Sequence, residues 1–294
     1  MPWLTKLSLR TRQWVLHGPY WTFLRFALAL PQLREFEMTG LTFCPVILPD
    51  ETPDLEGGTC APLTVFRYEA ILTRGRRYAI AVEKDVLAVV LEKIHHSVAT
   101  LALPSEPAPI SLMSRLDWPN LRELRLRGMR WPEPRTPLIL LFANMPHLRS
   151  LVLELRIPDE GEPEAVWPPG LPPDTKFPWP ELEQLTVANP HPDDELFAHL
   201  PPGLRTLSLR SCPRKCVKEW VWGGDDTLYA VQASGLRGVL ERCSATSGLK
   251  HLEIEYDADA TEPNLLRHLA TAFRTLSSLT LYRYRASEET VVCV

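Results

Sequence analysis

The chain has no long apolar run. Its most apolar early stretch, Trp14 to Leu30, is broken by His17, Gly18, Pro19 and Arg25, whereas a bilayer-spanning helix needs about 20 consecutive apolar residues. The opening residues, MPWLTKLSLRTRQW, hold no unbroken apolar segment of signal-peptide kind. Cysteine is scarce, six in 294 residues, at positions 44, 60, 212, 216, 243 and 293. That spacing offers no paired framework, which argues against a disulfide scaffold and for a reducing compartment. A charge of one sign is lacking too. The net charge of −4 provides no basic field for nucleic acid or anionic lipid. Catalytic signatures are missing: there is no glycine-rich phosphate loop, no G-x-S-x-G elbow, no H-E-x-x-H and no kinase set. These absences lead us to expect a cytoplasmic or nuclear protein that is not an enzyme, carries no cofactor, and has neither nucleic acid nor membrane as a partner.

What the chain has is a repeated phrase. WPNLRELRL, Trp118 to Leu126, reads Leu121-x-x-Leu124-x-Leu126. The phrase returns at Leu148, Leu182, Leu204, Leu249 and Leu276, and upstream at Leu4, with looser copies at Leu33, Leu63 and Val98. The mean step is about 30 residues, near the upper end of the leucine-rich-repeat range. Such arrays grow along one axis, because each unit packs only on its neighbours. We therefore expect one domain over residues 1–294, with about ten repeats.

The expected fold class is α/β, an irregular leucine-rich-repeat solenoid with parallel strands on the concave face and helices on the convex face. Each phrase predicts a short strand whose second and third apolar residues point inward. Helices are expected between strands: after Pro19 with Phe23, Leu24, Ala27 and Leu28 on one side; from an Asp85 cap with Leu87, Val90, Leu91 and Ile94; after Thr136 and Pro137; from an Asp193 cap; within Leu228 to Cys243; and from Thr261 and Pro263 through Leu265, Leu266, Leu269 and Phe273. Many of the twenty-nine prolines stand just before a phrase, among them Pro31, Pro62, Pro119, Pro146, Pro180 and Pro202. There proline should end a helix and release the chain into a strand. Residues 49–62 and 73–77 read as loops, and residues 158–181 as a proline-rich excursion. The strand at Leu4 opens the array, so its core side should be bare unless Trp14 to Leu30 folds over it.

Metal-like constellations are sparse. Cys212 and Cys216 have half-site spacing, with Cys243 as a third candidate, but structural zinc needs four closed ligands. Cys212 also occupies the Asn/Cys position that follows a repeat strand. His95 and His96 suit a helix C-terminus. His191 and His199 flank Asp193, Asp194 and Glu195, acids that fit a cap and first turn. Asp257 to Asp259 and Gly223 to Asp226 read as turns. Pro168 to Pro173 contains P-x-x-P spacing.

The open face of the strands is the more informative surface. The partner-binding candidates are Glu123, Arg125, Arg127, Ser150, Glu154, Ser208 and Arg210 near the middle of the row, with His251, Glu253 and Glu255 beyond them. Their mixed charge suits a protein or peptide better than a phosphate backbone, and few of them should carry most of the binding energy.

The phrases WPNLRELRL, MPHLRSLVL, WPELEQLTV and LPPGLRTLSL resemble the leucine-rich-repeat region of fungal F-box proteins, where an aromatic residue or Met followed by Pro often introduces L-x-x-L-x-L. The resemblance runs from Leu4 to Leu281. It implies a substrate-selecting solenoid in a ubiquitin-ligase receptor, with a Skp-type adaptor and a cullin as further partners through an N-terminal F-box. Only Met1, Pro2 and Trp3 precede the first phrase, so an F-box is not expected within this chain. A stand-alone interaction scaffold is the alternative.

Overall fold

Each of the ten phrases becomes a strand that begins on its third residue. The computed structural model describes residues 3–11, 17–48, 51–55, 60–69, 80–131, 135–157, 161–172, 174–214, 230–243 and 248–285. The phrase strands are β1 (Lys6–Arg10), β2 (Glu35–Thr39), β3 (Val65–Glu69), β4 (Thr100–Pro104), β5 (Glu123–Met129), β6 (Ser150–Arg156), β7 (Gln184–Ala188), β8 (Thr206–Arg210), β10 (His251–Asp257) and β11 (Ser278–Tyr284). A short eleventh strand, β9 (Val231–Gln232), has no phrase of its own. The protein is α/β, with helices α1 (Trp21–Leu28), α2 (Ile80–Ile94), α3 (Ile110–Met113), α4 (Leu138–Leu141), α5 (Ala233–Arg242) and α6 (Glu262–Ala272), and a 3-10 turn at Glu195–Ala198. No helix among the described residues is long and apolar enough to cross a membrane.

The chain divides into two compact units. The first comprises Met1–Thr136 and Leu140–Val152, the second Pro137–Ile139 and Leu153–Val294. In the first unit β1 to β5 pair in chain order, all parallel. The register follows the phrase: Lys6, Glu35, Val65, Thr100 and Glu123 stand side by side. In the second unit β7, β8, β10 and β11 pair in the same way, aligning Gln184, Thr206, His251 and Ser278. One backbone device repeats in both units. The carbonyl of the phrase's second residue accepts two N–H groups from the next phrase: Ala99 from Arg122 and Glu123 at 2.8 and 3.0 Å, and Arg205 from Lys250 and His251 at 2.8 and 2.9 Å.

The Trp-Pro and Met-Pro introductions now have a physical reason. Leu121 N–H donates to Trp118 C=O at 3.4 Å, Leu148 to Met145 at 3.2 Å and Leu182 to Trp179 at 3.1 Å. Proline thus sits at the second position of a four-residue turn, which its fixed φ favours. The residue before it is anchored in the core: Trp118, Met145 and Trp179 are all fully buried.

The inward residues pack as the alternation requires. Phe36, Met38, Phe66, Tyr68, Leu124 and Leu126 are buried in the first unit, and Leu185, Val187, Leu207, Leu209, Leu252 and Ile254 in the second. Strands that lie last in their row depart from this. Leu7 and Leu9 of β1 are half-buried, while Leu279 and Leu281 of β11 are 44% and 41% exposed. Each of these strands is described with a partner on one flank alone.

Several helix expectations need correction. Helix α2 is described over Ile80–Ile94, so Asp85 lies inside it and is no cap. Its first-turn acid, Glu83, is buried and accepts from Phe43 N–H at 2.9 Å and Tyr68 O–H at 2.5 Å. Those bonds tie α2 to the segment after β2 and to β3, a tertiary contact that no local cap signal carries. Phe23 and Leu266 point outward, at 44% and 43% exposure, because Trp21 takes the inward position on α1 and Leu265 on α6. The cap of the 3-10 turn is Asp194, not Asp193. The helices at Ile110–Met113 and Leu138–Leu141 are single turns. The sequence readings at residues 73–77, Gly223 to Asp226, Trp14, Pro173, Cys216, Leu228 and Cys293 lie outside the described residues.

Candidate functional site

The open face of the first unit is built from the residues between the inward leucines. Glu37 on β2 is buried, and its carboxylate accepts from Lys6 Nζ at 3.1 Å, Arg10 Nη2 at 3.1 Å and Arg67 Nη1 at 2.9 Å. Burial works to raise this carboxyl, but the hydrogen bonds from Lys6, Arg10 and Arg67 outweigh it and hold its pKa at about 2, below the ordinary 4.5. A depressed acid stabilises the fold above its unfolded pKa, and that contribution is lost as pH falls through the folded value. Glu37→Gln is therefore expected to flatten the loss of stability between pH about 4.5 and about 2. Urea titrations across that range check this; an unchanged acid slope would remove Glu37 from the account.

Further along the same face, β4 carries only short residues: Thr100, Ala102 and Pro104. Beside it stand longer side chains: Arg67 beside Ala102 on one flank, where Val65 faces Thr100, and Glu123, Arg125 and Arg127 beside Thr100, Ala102 and Pro104 on the other. The floor is accordingly sunk, with Ala102 4% exposed. A cavity of about 220 Å3 lies over it, lined by Arg67, Glu69, Ala102, Glu123 and Arg125, and reaching Ser150 and Val152. Thr100 Oγ1 donates to Glu123 at 3.3 Å. The expected binding residues Glu123, Arg125 and Ser150 thus meet around one depression, and Arg127 lines a smaller one beside Tyr68 and Pro104.

The remaining candidates belong to the second unit. Glu154 is buried and accepts from Arg210. Glu253 accepts from Ser208 Oγ at 2.5 Å and from Arg214. Burial acts to raise the Glu253 carboxyl, but the hydrogen bonds from Ser208 and Arg214 prevail and lower it. Glu255, 1% exposed, accepts from Ser211 N–H at 3.0 Å and Tyr284 O–H at 2.8 Å. His251 is exposed on β10. Ser208, Arg210, Glu154, Glu253 and Glu255 join one network through Arg210, 4.0 Å from Glu253, and Arg214, 4.0 Å from the buried Glu255. Alternation along the strands did not reveal Arg214, which lies over the Tyr282 ring at 4.4 Å. It follows β8 outside any phrase, so strand periodicity has no bearing on it.

The described members of the metal-like constellations bond within the fold, while Cys216 lies outside the described residues. Cys212 Sγ donates to Glu154 C=O at 3.3 Å, and Cys212 N–H donates to Asn189 Oδ1 at 3.3 Å. Asn189 in turn donates to Leu155 C=O at 2.9 Å, so both residues satisfy backbone carbonyls of β6. Cys243 donates to Val239 C=O at 3.3 Å, and burial pushes its thiol up to about 12. His95 Nδ1 lies 2.9 Å from Glu92 C=O just past the end of α2. His191 Nδ1 accepts from Asp193 N–H at 3.0 Å, and His199 stacks on Trp167 at 4.4 Å. Among the described residues no group of three or more His, Cys, Asp or Glu is placed to hold a metal ion. Comparison with known proteins finds no matching family model and no matching curated protein.

Proposed function

We propose that this chain is a protein-binding leucine-rich-repeat solenoid, and that it acts as the substrate-recognition part of an F-box-like ubiquitin-ligase receptor. The observation that carries the scaffold reading is the register: every described pairing between phrase strands aligns phrase with phrase, so the open-face residues stand in continuous rows within each unit. Such rows present many side chains to one partner at fixed spacing, and their mixed charge favours a protein over a phosphate backbone. The ligase role rests on the resemblance of the phrases to fungal F-box proteins, with a Skp-type adaptor and a cullin as the implied partners in cytoplasm or nucleus.

Affinity capture of the tagged protein from its own cells, read by mass spectrometry, tests both levels. Recovery of an adaptor and a cullin supports the receptor role. A different stable partner without them supports the stand-alone scaffold. Reversing Arg125 and Arg127 together to Glu is expected to reduce capture by about ten-fold or more, since like charges placed against a complementary partner cost several kcal/mol. Unchanged capture would remove that patch from the binding surface.

A further inference from the structure

The first unit's open face holds a feature of definite shape and charge order. On β4, Thr100, Ala102 and Pro104 form a floor of short side chains, while the flanking strands raise Arg67, Glu69, Glu123, Arg125 and Arg127 along its two sides. Strands two apart in a sheet are separated by about 10 Å, the width of one extended chain with its side chains. The charges are arranged along the trough in steps. Level with Thr100 stand the apolar Val65 on one side and Glu123 on the other; level with Ala102 stand Arg67 and Arg125, one on each side. Glu69, the next open-face residue of β3, lines the trough beyond Arg67. Arg67 is held in place by its Nη1 bond to Glu37 at 2.9 Å, and that bond engages one of the five N–H donors of a guanidinium.

We infer that this trough takes an extended peptide segment that seats a carboxylate side chain over Ala102, between the guanidinium groups of Arg67 and Arg125. The inference rests on the protein-binding reading above and specifies its chemistry. A carboxylate suits the position because guanidinium groups bind it through paired N–H donors. Glu123, one step along, calls for a basic side chain in the ligand. Alternate residues of an extended chain face the same way and lie about 7 Å apart, as Thr100 and Ala102 do beneath them. The segment therefore carries Lys or Arg two positions from Asp or Glu.

The test starts from random peptides, about nine residues long, displayed on phage and selected on the purified 294-residue chain. Enrichment of Asp or Glu two positions from Lys or Arg is the expected result. A selected peptide labelled with fluorescein is then measured by anisotropy against three proteins. Ala102→Glu places a tethered carboxylate between the two arginines and is expected to weaken binding by about ten-fold or more, while Ala102→Gln, of the same size but neutral, weakens it by about three-fold or less. Thermal melts confirm that both variants fold. Equal losses in the two variants, or selected peptides without an acidic residue, would overturn the inference. Selected peptides that bind Ala102→Glu as well as wild type also overturn it, yet leave the protein-binding reading standing. Selection of no peptide overturns the inference, and taken with an empty affinity capture it removes that broader reading as well.

Discussion

Replacing Asp194 by alanine is expected to lower the stability of the second unit by about 3 kcal/mol. Asp194 is fully buried, and its carboxylate accepts three backbone N–H groups: Val166 at 2.7 Å, Trp167 at 3.0 Å and Leu196 at 2.9 Å. The first two lie in the proline-rich excursion, the third in the 3-10 turn. Alanine strands all three donors away from water, and each orphaned group costs about 1 kcal/mol or more. Asp194→Asn keeps one carbonyl oxygen but puts an NH2 group where the second oxygen met an N–H, so it should recover only part of the loss. Urea unfolding followed by tryptophan fluorescence reads the effect, since Trp167 and Trp179 report on this region. A change below about 1 kcal/mol would show that the excursion is held by its apolar residues alone.

Phe66→Ala should cost about 4 kcal/mol, the range for an aromatic residue removed from a packed core. Phe66 stacks on Phe36 with centroids 5.5 Å apart and planes 13° apart, and meets Phe43 edge-on at 5.9 Å. All three rings are fully buried. Phe36 and Phe66 occupy the same position of adjacent phrases, so removing one ring opens a cavity between two repeats. Phe66→Leu keeps much of the volume and is expected to cost only about 1 kcal/mol. Equal costs for the two variants would mean that this core rearranges rather than leaving a void.

The phrases made the strands legible because two independent demands fall on the same short phrase. The leucines must alternate to be buried, and the carbonyl of the second residue must meet the next phrase. Both demands repeat with the phrase, so each strand begins where the phrase places it. The helices obey no such double constraint. The acid that anchors α2 is Glu83, reaching Phe43 and Tyr68, a contact between distant residues that no local signal at Asp85 reveals. At the site, alternation placed Arg125 and Glu253 on the open face, but it could not show that Glu255 is spent on Ser211 and Tyr284. Nor could it show the trough, which arises from the shortness of Ala102 relative to Arg67 and Arg125. A missing side chain has no motif; it becomes visible only when register sets its neighbours beside it.

The register also bears on how such a chain can change in length. Gln184 pairs with Thr206, whereas Thr206 pairs with His251, so the second connection is about twice as long as the first. Doubling a loop adds only about 0.6 kcal/mol to the entropy of closing it. Strand pairing is thus nearly indifferent to how much chain runs between two phrases. Insertions there leave the rows of the open face in step, and the connections are free to diverge in sequence and length while the binding surface keeps its spacing.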